Sequence, residues 1–67
     1  MTTLRSFSLT GRRGDVVIVT RCDQPTGVQW LLSIVDPDGT VLPTASLTAG
    51  EMRELLAGVD GLERSPA

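Results

Sequence analysis

Residues 28–51 read VQWLLSIVDPDGTVLPTASLTAGE, and this stretch decides the fold. From Val28 onward, apolar side chains recur at every second position, which is the period of a β-strand. The turn sequence Asp36-Pro37-Asp38-Gly39 follows, in which proline fixes φ at the first turn position and Gly39 can adopt a left-handed conformation. Thr48 and Glu51 then have the spacing of a capping box, the signature of a helix start. The stretch therefore predicts a strand, a hairpin turn, a short strand and a helix.

Two more glycine-containing turns lie upstream, at 11–14 and 23–27, and they delimit two further strand-like segments. We predict strands over Arg5–Leu9, Asp15–Cys22, Val28–Val35 and Thr40–Thr44. Pro43 places the last of these at a sheet edge or ends it early, because proline has no N–H to donate to a neighbouring strand.

The C-terminal segment carries apolar residues at the spacing of one helix face: Met52, Leu55, Leu56 and Val59. We predict a helix of about eleven residues, roughly 16 Å long, that Gly58 or Gly61 ends. The fold class is therefore α+β, a four-stranded antiparallel β-meander followed by one C-terminal α-helix (β-β-β-β-α). Residues 1–62 form a single domain, and residues 63–67 form a frayed tail.

The composition predicts a small folded domain that self-associates. The chain has 67 residues, is 40% hydrophobic and carries a net charge of -2. A chain of this size buries only about 60% of its unfolded surface, so it needs additional stabilisation. A single cysteine excludes an intrachain disulfide, and the absence of histidine excludes most structural zinc sites. One helix covers one sheet face, yet the second and third strands are apolar on both faces, so we predict a homodimer. The alternative is a sheet that curls enough to close on itself.

The residue types present also argue against a catalytic, metal or cofactor site. Without histidine there is no Ser–His or Cys–His pair, so we predict no enzyme activity, no catalytic residues, no metal site and no cofactor. Cys22 is expected to be a small core residue, and Asp36 and Asp38 are expected to be turn residues. No apolar run reaches the roughly 20 residues of a membrane span, and we predict a cytoplasmic protein without a membrane partner.

Arginines dominate the first third of the chain and acidic residues the second half. Arg12 and Arg13 lie in a turn and Arg21 lies further along the next strand, where the three could contact phosphates. Trp30 could stack on bases, as aromatic residues do in proteins that bind single strands. The candidate nucleic-acid-binding residues are therefore Arg12, Arg13, Arg21 and Trp30. The competing interpretation is that Trp30 belongs to the core and that the turn arginines are simply solvated.

Roughly residues 15–57 bear a resemblance to a known family, and residues 38–51 carry most of it. Asp38-Gly39-Thr40-Val41-Leu42-Pro43-Thr44, followed by Ser46-Leu47-Thr48 and a helix that opens with Glu51, resembles the end of the transcriptional coactivator family named positive cofactor four. The resemblance implies a homodimer whose sheets grip single-stranded DNA, with Arg12, Arg13, Arg21 and Trp30 lining the groove. The chain departs from the family in its third strand, where Leu31-Leu32-Ser33-Ile34-Val35 replaces basic and aromatic residues.

A second resemblance covers the same part of the chain. The turn Asp36–Gly39, followed by Val41-Leu42 and an acidic helix ending Leu56-Ala57-Gly58-Val59, is similar to small actinobacterial developmental regulators of the BldB type. This likeness implies binding to a regulatory protein instead of DNA. The sequence thus leaves two functions open. One is a transcription-linked module that binds single-stranded nucleic acid through an arginine-bearing sheet face, and the other is an interaction module that binds a regulatory protein through its apolar sheet face and acidic helix.

Overall fold

The computed structural model describes residues 1–64 and confirms the β-β-β-β-α order. Its elements are β1 (Thr3–Thr10), β2 (Val16–Gln24), β3 (Gly27–Val35), β4 (Ala45–Thr48) and α1 (Ala49–Arg64). The four strands form one antiparallel sheet in the order β1-β2-β3-β4, so each strand pairs with its neighbour in sequence. The fold is the predicted meander followed by a helix.

Glycines with positive φ close the three upstream turns. Gly14, Gly27 and Gly39 have φ values of 90°, 139° and 94°. At the third turn the N–H of Gly39 donates to the carbonyl oxygen of Asp36 at 2.8 Å, and the N–H of Thr40 donates to Oδ1 of Asp38 at 2.9 Å. The left-handed position predicted for Gly39 is therefore confirmed, and Asp38 acts as a turn residue.

The fourth strand lies later than predicted. Residues 40–44 do not form a strand, and an isolated bridge between Val35 and Val41 precedes the pairing of Leu32 with Ala45. Between these two pairs β3 contributes two residues, whereas the opposite segment, 42–44, contributes three. The extra residue is a bulge-like insertion at Pro43, which cannot donate a backbone hydrogen bond. The regular edge strand can therefore begin only at Ala45.

The capping box is confirmed, but the predicted helix end is wrong. The N–H of Thr48 donates to Oε1 of Glu51 at 2.8 Å, and the N–H of Glu51 donates to Oγ1 of Thr48 at 3.1 Å. The helix continues through Gly58 and Gly61 for 16 residues, because neither glycine adopts a positive φ that would end it. Of the tail predicted at 63–67, the first two residues belong to α1, and 65–67 lie outside the described residues.

Strand register sorts the side chains onto two faces. We call the face that α1 approaches the helix side. Its cross-strand rows include Phe7–Val19–Leu32 and Arg5–Arg21–Trp30–Leu47. The opposite face has rows such as Ser6–Thr20–Leu31–Ser46 and carries Cys22. Apolar residues thus occupy both faces of the central strands, as the sequence predicts.

The described part of the chain has almost no core. Only Cys22 and Met52, 7% and 5% exposed, are buried within residues 1–64. The Cα radius of gyration is 13.8 Å, whereas about 11 Å is expected for a compact domain of this length. The shortest dimension is 17 Å, so the molecule is an open slab. The sheet does not curl closed in this structure.

Candidate interaction surface

An apolar cleft opens between α1 and the helix side of the sheet. Its volume is about 280 Å³. We define this open cleft by its lining residues, which are Phe7, Val19, Trp30, Leu32, Met52, Leu55 and Leu56. Three strands and the helix contribute to it, and every lining side chain is hydrophobic. Such a surface binds by excluding water from apolar groups.

The cleft stays open because α1 leaves the sheet. Among the described elements, the helix contacts only β3 and β4 and does not reach β1 or β2. Met52 is 5% exposed, but the rest of the apolar stripe is 40% exposed at Leu55, 61% at Leu56 and 51% at Val59, and Leu62, which continues the same helix face, is 79% exposed. The stripe that the sequence predicts to face the core is therefore buried only at its first residue. Opposite it, Phe7 on β1 remains 59% exposed.

Two arginines and one aspartate lie at one end of the helix side. Nε of Arg21 donates to Oδ1 of Asp23 at 2.8 Å, and an Nη of Arg5 donates to Oδ2 at 3.3 Å. We call these three residues the arginine end. The hydrogen bond from Arg21 holds the pKa of the Asp23 carboxyl below its usual value, and Arg5 adds to the effect. One carboxylate thus partly neutralises two guanidinium groups.

Both aromatic residues of the chain adjoin the arginine end. Arg21 and Trp30 are cross-strand partners, and the guanidinium carbon lies 5.9 Å from the ring centre, within the range of a cation–π contact. A shallow depression joins Arg5, Arg21 and Trp30 to Phe7. Trp30 and Arg21 also line a second depression, together with Arg53 of α1. The half-buried Trp30 ring therefore lies among three of the six arginines.

The structure separates the four predicted site residues into two groups. It brings Arg21 and Trp30 together, but Arg12 and Arg13 are exposed in the turn at the far end of the hairpin. The strand from Val16 to Arg21 alone spans roughly 16 Å, so one short ligand cannot contact both groups closely. Arg5 and Arg53 take the places beside Trp30 that the prediction gave to the turn arginines.

Arg5 could not be assigned from the predicted turn. The turn predicted at 11–14 is centred between residues 12 and 13, and counting outward from that point pairs Arg5 with Thr20. In the structure the connection is one residue longer, 11–15, so Arg5 pairs with Arg21 instead. Cross-strand partners share a face, so this one-residue difference decides whether the two guanidinium groups lie on one surface. Arg53 carries no local signal either, because its position depends on how α1 meets the sheet.

Residues 1–64 contain no assembled metal site. No group of three or more His, Cys, Asp or Glu side chains there could hold a metal ion. Cys22 is buried, as expected of a core residue, with Nε2 of Gln24 3.5 Å from its sulfur. No helix within the described residues is long and apolar enough to span a membrane.

Comparisons with known proteins add no relative. No family model, curated protein or solved structure matches the chain. The two family resemblances of the sequence therefore stay predictions.

Proposed function

We propose that the protein is a non-enzymatic interaction module that binds an apolar protein segment in its open cleft. The observation that carries this proposal is the lack of a core, since only two residues of the described chain are buried. A folded domain normally gains most of its stability by burying apolar side chains. Here those side chains converge on a cleft without polar lining, which a protein segment could fill.

A matched pair of leucines tests this function. Leu56 lies in the open cleft at 61% exposure, and Leu4 lies on the opposite sheet face at 63% exposure. Leu56→Glu places a charge where a bound segment would exclude water, whereas Leu4→Glu introduces the same change outside the cleft. Tagged wild type and both variants would be used to capture proteins from the source organism, with this chain itself counted among the possible partners.

The expected result is a partner that wild type and Leu4→Glu retain and that Leu56→Glu loses. Equal capture by all three proteins, with circular dichroism showing that all are folded, would contradict a binding role for the cleft. A partner lost equally from both variants would contradict it as well, because that loss would not depend on the cleft.

The arginine end supports a second candidate function, the binding of single-stranded nucleic acid. Arg5 and Arg21 border the same depression as Phe7 and Trp30. Guanidinium groups contact phosphates and aromatic rings stack on bases, which is the combination found in proteins that bind single strands. This candidate ranks second because Asp23 already engages both guanidinium groups.

A further inference from the structure

We propose that the segment that fills the open cleft is helix α1 of a second copy of this chain, seated on the helix side of β1 and β2. The proposal rests on the interaction function proposed above and names the partner at the same site. In the resulting dimer, α1 of each copy packs on the helix side of β1 and β2 of the other. The same contact therefore occurs twice, as in most two-fold dimers.

Surface area favours a second copy. The chain exposes 5313 Å². A folded monomer of 7.1 kDa is expected to expose about 4100 Å², so the excess is about 1200 Å². A stable interface of standard size buries about 800 Å² on each partner. The excess exposure is thus large enough to supply one dimer interface.

Shape favours the same pairing. The helix side of β1 and β2 has no helix of its own over it, because α1 contacts only β3 and β4 among the described elements. Phe7 and Leu9 of β1 are consequently 59% and 64% exposed on that face. The apolar face of α1 is likewise exposed, at Leu56 and Leu62. Each copy therefore offers both an uncovered sheet surface and an uncovered helix stripe, of matching apolar character.

The charge distribution also favours packing of α1 on the β1–β2 hairpin of a second copy. The segment from Thr3 to Gln24 carries four arginines against two aspartates, a net charge of +2. Helix α1 carries four acidic residues against two arginines, a net charge of -2. An acidic helix laid on the basic hairpin of another copy brings opposite charges together at the rim of the apolar contact, which favours this orientation over hairpin on hairpin or helix on helix.

Sedimentation equilibrium of the purified full chain over a wide concentration range tests the proposal. We expect wild type to form a dimer and Leu56→Glu to weaken dimerisation on the order of 100-fold, because a carboxylate would be buried without a partner. Phe7→Glu, on the hairpin, should weaken it similarly, since Phe7 is outside the reach of its own helix. Leu4→Glu, with matching exposure on the opposite face, should leave the dimer within about threefold of wild type.

Fluorescence of Trp30 supplies a second readout. It is the single tryptophan, the chain has no tyrosine, and the ring lines the open cleft. Formation of the proposed dimer removes water from the ring, so emission should shift to shorter wavelength and acrylamide quenching should fall as concentration rises. A dimer that leaves both signals unchanged would be built on another surface and would overturn the proposal.

The remaining outcomes separate this proposal from the function on which it rests. A folded wild type that stays monomeric at high concentration overturns self-association, while capture that depends on Leu56 would still support a different protein in the cleft. Loss of the dimer in Leu56→Glu but not in Phe7→Glu overturns the helix-on-hairpin arrangement. A dimer that survives both changes overturns the proposal, and capture that is also independent of Leu56 would then remove the cleft function as well.

Discussion

The guanidinium carbon of Arg21 lies 5.9 Å from the centre of the Trp30 ring, and the same guanidinium group donates to Asp23 at 2.8 Å. The cation is thus fixed between an aromatic ring and a carboxylate. This arrangement is local to two cross-strand neighbours and a residue two positions along β2. It determines what the arginine end can bind, because any phosphate there has to compete with Asp23 for Arg21.

The first prediction concerns single-stranded nucleic acid. If the arginine end binds it, Asp23→Asn should tighten binding, because the change frees the guanidinium groups of Arg5 and Arg21. Arg5→Ala combined with Arg21→Ala should weaken binding about tenfold or more and reduce its salt dependence, since two phosphate contacts are lost. The measurement is fluorescence anisotropy of a labelled single-stranded oligonucleotide at low salt, with duplex of the same sequence alongside.

The matched control is Arg12→Ala combined with Arg13→Ala, which removes the same charge from the far turn. Retained binding in this variant would locate the ligand at the arginine end. Loss of binding in this variant alone would restore the sequence-based assignment of the turn arginines. No binding by wild type at high protein concentration would end the nucleic-acid candidate.

The second prediction concerns acid. The folded-state pKa of Asp23 is lowered, chiefly by the hydrogen bond from Arg21, and that of Asp38 is lowered by the backbone N–H of Thr40. A lowered carboxyl pKa contributes stability that is complete above the unfolded value, near 3.9, and is lost as pH falls through the folded value. Thermal unfolding should therefore show stability that declines below about pH 4.

Asp23→Asn and Asp38→Asn should each flatten part of this decline, because an amide does not titrate. Melting temperatures would be measured from pH 6 to pH 2. The melting temperature of each variant should fall less between these two pH values than that of wild type. A variant whose decline parallels that of wild type over the whole range would show that its carboxyl does not contribute.

Local signals predicted most of the fold. The turn at Asp36–Gly39 and the capping box of Thr48 and Glu51 are set by backbone geometry within four residues, and both are found as predicted. The sequence places the fourth strand too early because the extra residue at Pro43 shifts the register, and that shift depends on pairing with β3. It places the helix end too early because Gly58 and Gly61 resemble stop signals, although neither adopts a positive φ.

The interaction surface is harder to predict than the fold, because it depends on how distant segments of the chain meet. Arg21 and Trp30 meet because of strand register, which depends on the exact length of the turn. Gln24 pairs with Gly27, so only residues 25 and 26 connect the strands, whereas the turn predicted at 23–27 has five residues. The open cleft depends on the angle at which α1 leaves the sheet, and no local pattern encodes that angle. The stripe containing Met52 and Leu56 indicates only that a helix face is apolar, without indicating which molecule covers it.

The third prediction tests the capping box. Thr48→Ala removes the side-chain oxygen that accepts the N–H of Glu51, so the free energy of unfolding should fall by about 1 kcal/mol. Glu51→Ala removes the reciprocal acceptor for the N–H of Thr48 and should also destabilise the fold. Glu54→Ala is the control, because Glu54 is an exposed acidic residue of the same helix that lies three positions beyond Glu51 and outside the capping box. Urea unfolding at fixed protein concentration measures all three, and equal stability of Thr48→Ala and wild type would contradict a role for the cap.

The last prediction compares glycines in two backbone conformations. Gly58 and Gly61 lie inside α1, and a Cβ at either position would meet no atom within 4 Å. Replacing each by alanine should raise the free energy of unfolding by roughly 0.5–1 kcal/mol, because alanine loses less backbone entropy in a helix. Gly39→Ala also has open space around the new Cβ, but its φ of 94° strains an L-residue and should cost about 1 kcal/mol. Urea unfolding should therefore give opposite signs for two changes of identical chemistry. Destabilisation by either helix variant would instead indicate that α1 ends at that glycine, as the sequence alone predicts for Gly58 or Gly61.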